Sequence, residues 1–134
     1  MTSPSLELQG KIVERLKASA AVTALVGNRV YDQIPATKTF PYISIGPDQS
    51  IFDDLDCEKG FEIFIQIDAW SRAVGYPEVK RIADAVFNSL HRYDLPLVDN
   101  ALVSFEHRQL RTLREPDGLT SHAVIEFVAL VEQP

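Results

Sequence analysis

ALVSFEHRQLRTLREPDGLTSHAVIEFVALVE, residues 101–132, is the stretch that decides the fold. Two apolar-rich runs, about 101–114 and 119–132, flank Glu115-Pro116-Asp117-Gly118. Proline at the second turn position and glycine at the fourth fit a type I turn with a bulged glycine. Setting Glu115 against Leu119 pairs Phe105 with Ala129, His107 with Phe127 and Val103 with Val131 on one face. The opposite face then carries Arg108 against Glu126, a favourable cross-strand charge pair. A slip of one residue would turn Phe105 to the wrong face, so this register is the expected one. An antiparallel hairpin closes the chain.

Upstream, Phe61 to Trp70 alternates in the same way: Phe61, Ile63, Ile65, Ile67 and Ala69 on one face, Glu62, Phe64, Gln66, Asp68 and Trp70 on the other. Between these strands, Val79, Ile82, Ala83, Val86, Phe87 and Leu90 recur at helical spacing, predicting a helix over about 77–92. Ser3-Pro4 opens an N-terminal helix with Leu8, Ile12, Leu16 and Ala20 on its apolar face. A short helical turn, Ala21 to Val26, follows and stops at Gly27-Asn28. Val30–Ile34 and Tyr42–Ile45 read as short strands. Residues 47–60 read as an acidic loop carrying Asp48, Asp53, Asp54, Asp56 and Glu58. The order α-β-β-β-α-β-β predicts one α+β domain over residues 1–134, with two main helices on one face of a mainly antiparallel sheet.

The 134 residues are 46% apolar and 24% charged, a composition for a single globular domain. Thirteen basic against nineteen acidic residues leave a net charge of −6, which offers phosphate backbones no attractive field. Cys57 is the only cysteine, so no disulfide can form within the chain. The N-terminal residues lack a basic start and an apolar core, and no apolar run is long enough for a membrane helix. Neither secretion nor membrane association is expected.

Motifs for chemistry are absent: no phosphate-cradling glycine loop, no nucleophile elbow, no Cys/His spacing for zinc. His107 and His122 fall on opposite faces of the terminal hairpin, and His91 lies at a helix end. Asp53-Asp54-Leu55-Asp56 lacks the glycine and terminal glutamate of a calcium loop. Its negative neighbours make Cys57 a poor nucleophile. No catalytic group, cofactor or metal is expected. Helices can cover only one side of a single sheet, yet Phe64, Trp70, Leu110, Val124, Val128 and Leu130 occupy the other. Apolar area on that scale points to a protein partner, with self-association favoured. The alternative is cover by the chain's own 28–47 segment.

Several segments together resemble a family. They are Ala24-Leu25-Val26-Gly27-Asn28-Arg29-Val30-Tyr31-Asp32, Phe40-Pro41-Tyr42-Ile43-Ser44-Ile45-Gly46, Ile67-Asp68-Ala69-Trp70-Ser71-Arg72 leading into Gly75, and the Arg114-Glu115-Pro116-Asp117-Gly118 turn. In this order, over nearly the whole chain, the sequence resembles the small tail-terminator (tail-completion) proteins of long-tailed bacteriophages and gene transfer agents. The resemblance implies helices on an antiparallel sheet, assembled as a hexameric ring that caps the tail tube, ends its polymerisation and presents the head-joining surface. It implies a structural virion protein at the head-proximal end of the tail, assembled in the host cytoplasm, without catalysis or cofactor. Its partners would be further copies of itself, the tail tube protein and a head-completion or connector protein, with DNA passing through the lumen unbound. The acids of the 47–60 segment would line that lumen or meet a partner. Two other readings stay open: a head-completion adaptor, and a cytoplasmic enzyme or ligand-binding domain using Asp68 and Trp70 beside Arg72.

Overall fold

The computed structural model describes residues 2–54 and 59–134. Along the chain run α1 (Pro4–Ala18), α2 (Ala20–Val26), β1 (Val30–Tyr31), β2 (Tyr42–Asp54), β3 (Lys59–Ser71), α3 (Pro77–Leu90), β4 (Ala101–Arg114) and β5 (Ser121–Gln133). The strands form one sheet in the order β1-β2-β3-β5-β4. It is antiparallel except for the short parallel pairing of β1 with β2. The α+β architecture expected from the sequence is present.

Local chemistry accounts for the helices. The Ser3 hydroxyl accepts a hydrogen bond from the Leu6 N–H at 3.1 Å, with Pro4 at the first helical position. Leu8, Ile12 and Leu16 then bury one stripe of α1. Pro77 likewise starts α3, which buries Val79, Ile82, Ala83, Val86 and Leu90 and ends two residues before the expected Arg92. Both stripes join a core with Ile63, Ile65, Ile67, Phe105, Ile125, Phe127 and Ala129, so all these strand residues face the helices. Helix α1 also fastens the 98–100 turn. Its Glu7 carboxylate accepts hydrogen bonds from the N–H groups of Val98 (2.7 Å), Asp99 (3.0 Å) and Asn100 (3.1 Å), and from the Asn100 side chain (2.9 Å).

The described part of 47–60 is strand, not loop. β2 continues through Asp54 and β3 begins at Lys59, pairing Asp48 with Ile65 and Phe52 with Phe61. Gly46-Pro47 bends the strand instead of ending it. The register shifts between Ile45 and Asp48, and a bulge absorbs a proline that has no N–H to donate. Glycine is required there by space, since a Cβ on Gly46 would lie 2.5 Å from Asp68 Oδ2. The same bend carries β2 away from β1, which stops at Tyr31 instead of reaching Ile34.

The terminal hairpin keeps the expected register only in its middle. Phe105 pairs with Ala129 and His107 with Phe127, but Leu102 replaces Val103 opposite Val131, and Gln109 replaces Arg108 opposite Glu126. Two bulges in β4, at 102–104 and 107–109, make these changes. The turn is also one residue wider: the Glu115 N–H donates to the Thr120 carbonyl at 2.8 Å, and Arg114 pairs with Ser121. Asp117 holds the wider turn by accepting from the N–H groups of Leu119 (2.8 Å) and Thr120 (2.9 Å).

Candidate assembly surface

Sheet residues that point away from the helices form the surface singled out by the sequence. Across it, Phe64 pairs with Gln49 on one side and Val128 on the other, and the Arg108 guanidinium lies 5.8 Å from the Phe64 ring. Phe64 and Val128 are half-buried, and Leu130, between Glu62 and Ser104, is 41% exposed. Val124 is buried between Asp68 and Arg111. Leu110 does not belong to this face. The bulge before Gln109 sets it opposite the core residue Ile125, beside Ala83 and Phe87 of α3. Phe64 floors an open cleft whose walls bring Asp48, Arg108 and Glu126 together. Of the acidic residues, Asp48 and Asp53 are exposed on β2 and Asp54 ends that strand. Asp56, Cys57 and Glu58 lie outside the described residues.

Trp70 is held within the chain. Its indole stacks on the His122 imidazole at 3.8 Å and 12°, neighbours Tyr42 at 6.1 Å, and donates to the Ser44 hydroxyl at 2.9 Å. Phe40 continues the row, 5.1 Å from Tyr42, with the Arg72 guanidinium 4.5 Å from its ring. From Tyr42 this segment is a strand of the sheet itself, paired beside Trp70 and not laid over it, so it widens the face without adding the covering layer of the intramolecular alternative. The face around Phe64, Val128 and Leu130 stays open.

Beneath Trp70, His122 is clamped between two carboxylates, with Nε2 2.6 Å from Asp68 Oδ1 and Nδ1 2.7 Å from Glu115 Oε1. Asp68 also accepts from the Gln66 amide at 2.8 Å. Burial pulls the His122 pKa down, but the hydrogen bonds and charge of Asp68, then of Glu115, outweigh it and leave it raised. The imidazolium is therefore the favoured partner of the two acids. The sequence alone points to Asp68, Trp70 and Arg72 but not to His122, Glu115 or Ser44. The missing signal was the β3–β5 register, which sets Trp70 opposite His122.

This cluster has the residues of a catalytic dyad without its freedom. Both ring nitrogens of His122 are engaged by carboxylates, so neither is available as a base toward a substrate. The two acids sit on opposite ring edges and cannot grip one ion, and no metal-holding group of three such residues occurs among the described residues. Arg72 turns to Asp117 (3.7 Å) and Thr120 (3.1 Å), bracing the hairpin turn. On the helix side, His107 packs edge-on against Phe87 and Phe127; burial, then the neighbouring His91, lowers its pKa. No helix among the described residues is long and apolar enough to cross a membrane.

A sheet with one helix-covered face, one open apolar face and a polar cluster engaged within itself is the framework of a structural assembly domain. Residues 10–132 match the family described as Tail completion protein gp17, and the chain belongs to that family. Among solved structures, it is similar to a chain of the "Virion of native gene transfer agent (GTA) particle". The two share 27% identity with a TM-score of 0.91, over 98% of this chain and 99% of the other. No curated protein matches it. The chain is thus a non-enzymatic structural protein of phage-type tails, located in the virion.

Proposed function

We propose that this protein is the tail terminator: copies close into a ring, a hexamer by family resemblance, on the head-proximal end of the tail tube. The ring stops polymerisation of the tube protein and presents the surface that a head-completion or connector protein joins. The observation that carries the reading is the full-length likeness to a virion component, joined to a sheet face left open around Phe64, Val128 and Leu130. A closed ring needs two different patches on each subunit. The open face, with Trp70 and Val124 at its closed end, and the flank of α3 at Leu110 are surfaces for a neighbouring copy or for a tail or head protein. The acidic 47–60 segment, with Asp48, Asp53, Asp54, Asp56 and Glu58, serves the ring as a lumen wall that repels passing DNA or as a contact for another protein.

Negative-stain imaging of the purified protein, alone and mixed with tail tubes, tests the reading. Rings seated on tube ends are expected, with tube growth arrested. Monomers that ignore tube ends would refute it, and capture by head vertices without tube binding would reassign the protein as a head-completion adaptor.

A further inference from the structure

Both borders of the sheet are half closed and half open, and the open halves carry opposite charge. On β2, only Ile43 and Ser44 are paired with β1, and the Ile43 N–H donates to the Arg29 carbonyl at 2.9 Å. Beyond the Gly46-Pro47 bulge, the outer side of β2 from Asp48 onward meets no further strand among the described residues. On β4, the chain leaving α3 closes the middle. The Arg92 N–H donates to the Phe105 carbonyl at 2.8 Å, and the His107 N–H donates to His91 Nδ1 at 3.0 Å. Beyond the second bulge, the outer side of β4 to Arg114 likewise meets no strand.

The open part of β2 reads Asp48-Gln49-Ser50-Ile51-Phe52-Asp53, acids at both ends around two exposed apolar residues. The open part of β4 reads Arg108-Gln109-Leu110-Arg111-Thr112-Leu113-Arg114, arginines at both ends and the centre around two leucines. Among the described residues, none of Asp48, Asp53, Arg108, Arg111 and Arg114 makes an ion pair within the chain, although the Arg108 and Arg114 guanidiniums lie over the Phe64 and Tyr76 rings. Unpaired edges are sites for strand addition, and natural proteins protect them with charge. Like charges on both borders would keep copies apart. Opposite charges instead repel acid from acid and arginine from arginine while drawing one border to the other.

We infer that the acidic border of β2 in one copy docks edge to edge on the arginine-bearing border of β4 in the next. This rests on the ring reading and specifies its contact: a second copy, joined head to tail by two different borders, as a closed ring requires. In either strand direction, the register that sets Phe52 against Leu110 also sets an acid against an arginine: Asp48 against Arg114 if antiparallel, Asp53 against Arg111 if parallel.

Charge reversal tests it. One variant carries Asp48→Arg with Asp53→Arg; the other carries Arg108→Asp with Arg111→Asp. Each is checked for native circular dichroism, then weighed by sedimentation and imaged on tube ends at low salt. Each alone should associate at least about tenfold more weakly. Their equimolar mixture should recover rings with the two variants alternating, and all four changes in one chain should also restore assembly. Rings that persist in both single-border variants would overturn the edge contact and leave the ring standing. So would variants that fail alone and stay apart when mixed. A wild-type protein that forms no ring, alone or on tubes, would overturn the ring reading and the contact with it.

Discussion

Replacing His122 by alanine removes the cation between Asp68 and Glu115, and its effect must depend on pH. The His122 and Asp68 side chains are only 12% and 6% exposed. The substitution leaves Asp68 buried, with the Gln66 amide as its remaining hydrogen-bond donor. Breaking a buried pair costs about 3–5 kcal/mol, and losing an aromatic stack about 0.5–1.5 kcal/mol more. Glu115, 28% exposed, can turn to water and recover part of this, so about 3 kcal/mol is expected near pH 6. For a chain of this length that lowers Tm by about 10 °C. The raised His122 pKa means its stabilisation is complete below the unfolded imidazole value, about 6.5, and is lost as pH rises through the folded value. Thermal melts at a series of pH values should therefore show the gap between wild type and His122→Ala narrowing above about pH 7. The stacked indole belongs to the only tryptophan, so wild-type emission should follow the same titration. A gap that stays constant from about pH 6 to 9, or falls below about 1 kcal/mol throughout, would refute the clamped imidazolium.

Gly46→Ala drives a methyl group into Asp68 and the Gln66 backbone and should cost about 1–3 kcal/mol in denaturant unfolding; an unchanged midpoint would show that the β2 bulge gives way freely. Burial pushes the Glu7 carboxyl up, but the N–H groups of Val98 and Asp99, then Asn100, outweigh it and hold its pKa below the ordinary carboxylate value. Its contribution is thus present above the unfolded value, about 4.3, and lost as pH falls through the folded one. Glu7→Gln should cost about 1 kcal/mol at neutral pH, and its melting curve should converge with wild type in acid; a difference that persists in acid would contradict this.

Periodicity made the helices, the central strand and the last hairpin legible, because each buries one face and the burial writes itself into the residue order. Ile63, Ile65, Ile67 and Ala69 line the core as their alternation requires. Bulges left no such mark. Those in β4 involve Val103 and Arg108, residues without turn character, so nothing in their type announces that Leu110 changes faces. The reverse holds at Gly46-Pro47, where turn residues mark a bend inside a strand. The candidate surface was half legible. Phe64, Val128 and Leu130 follow from alternation within one strand, whereas the His122 clamp depends on strands distant in sequence. Trp70 looked available from its own strand, but Tyr42, Ser44 and His122 come to it from two others.

The bulges have a geometric consequence for the sheet as a whole. β3 and β5 pair without interruption from Lys59–Gln133 to Ser71–Ser121, while β2 and β4, flanking them, each take in extra residues. A ribbon whose margins are longer than its midline cannot lie flat. At about 3.3 Å per residue, the one extra residue of β2 adds about 3 Å to its margin and the two of β4 add about 7 Å. Each bulge bends its strand and sharpens the local twist, so a surface that seats on the open face without gaps must follow that twist.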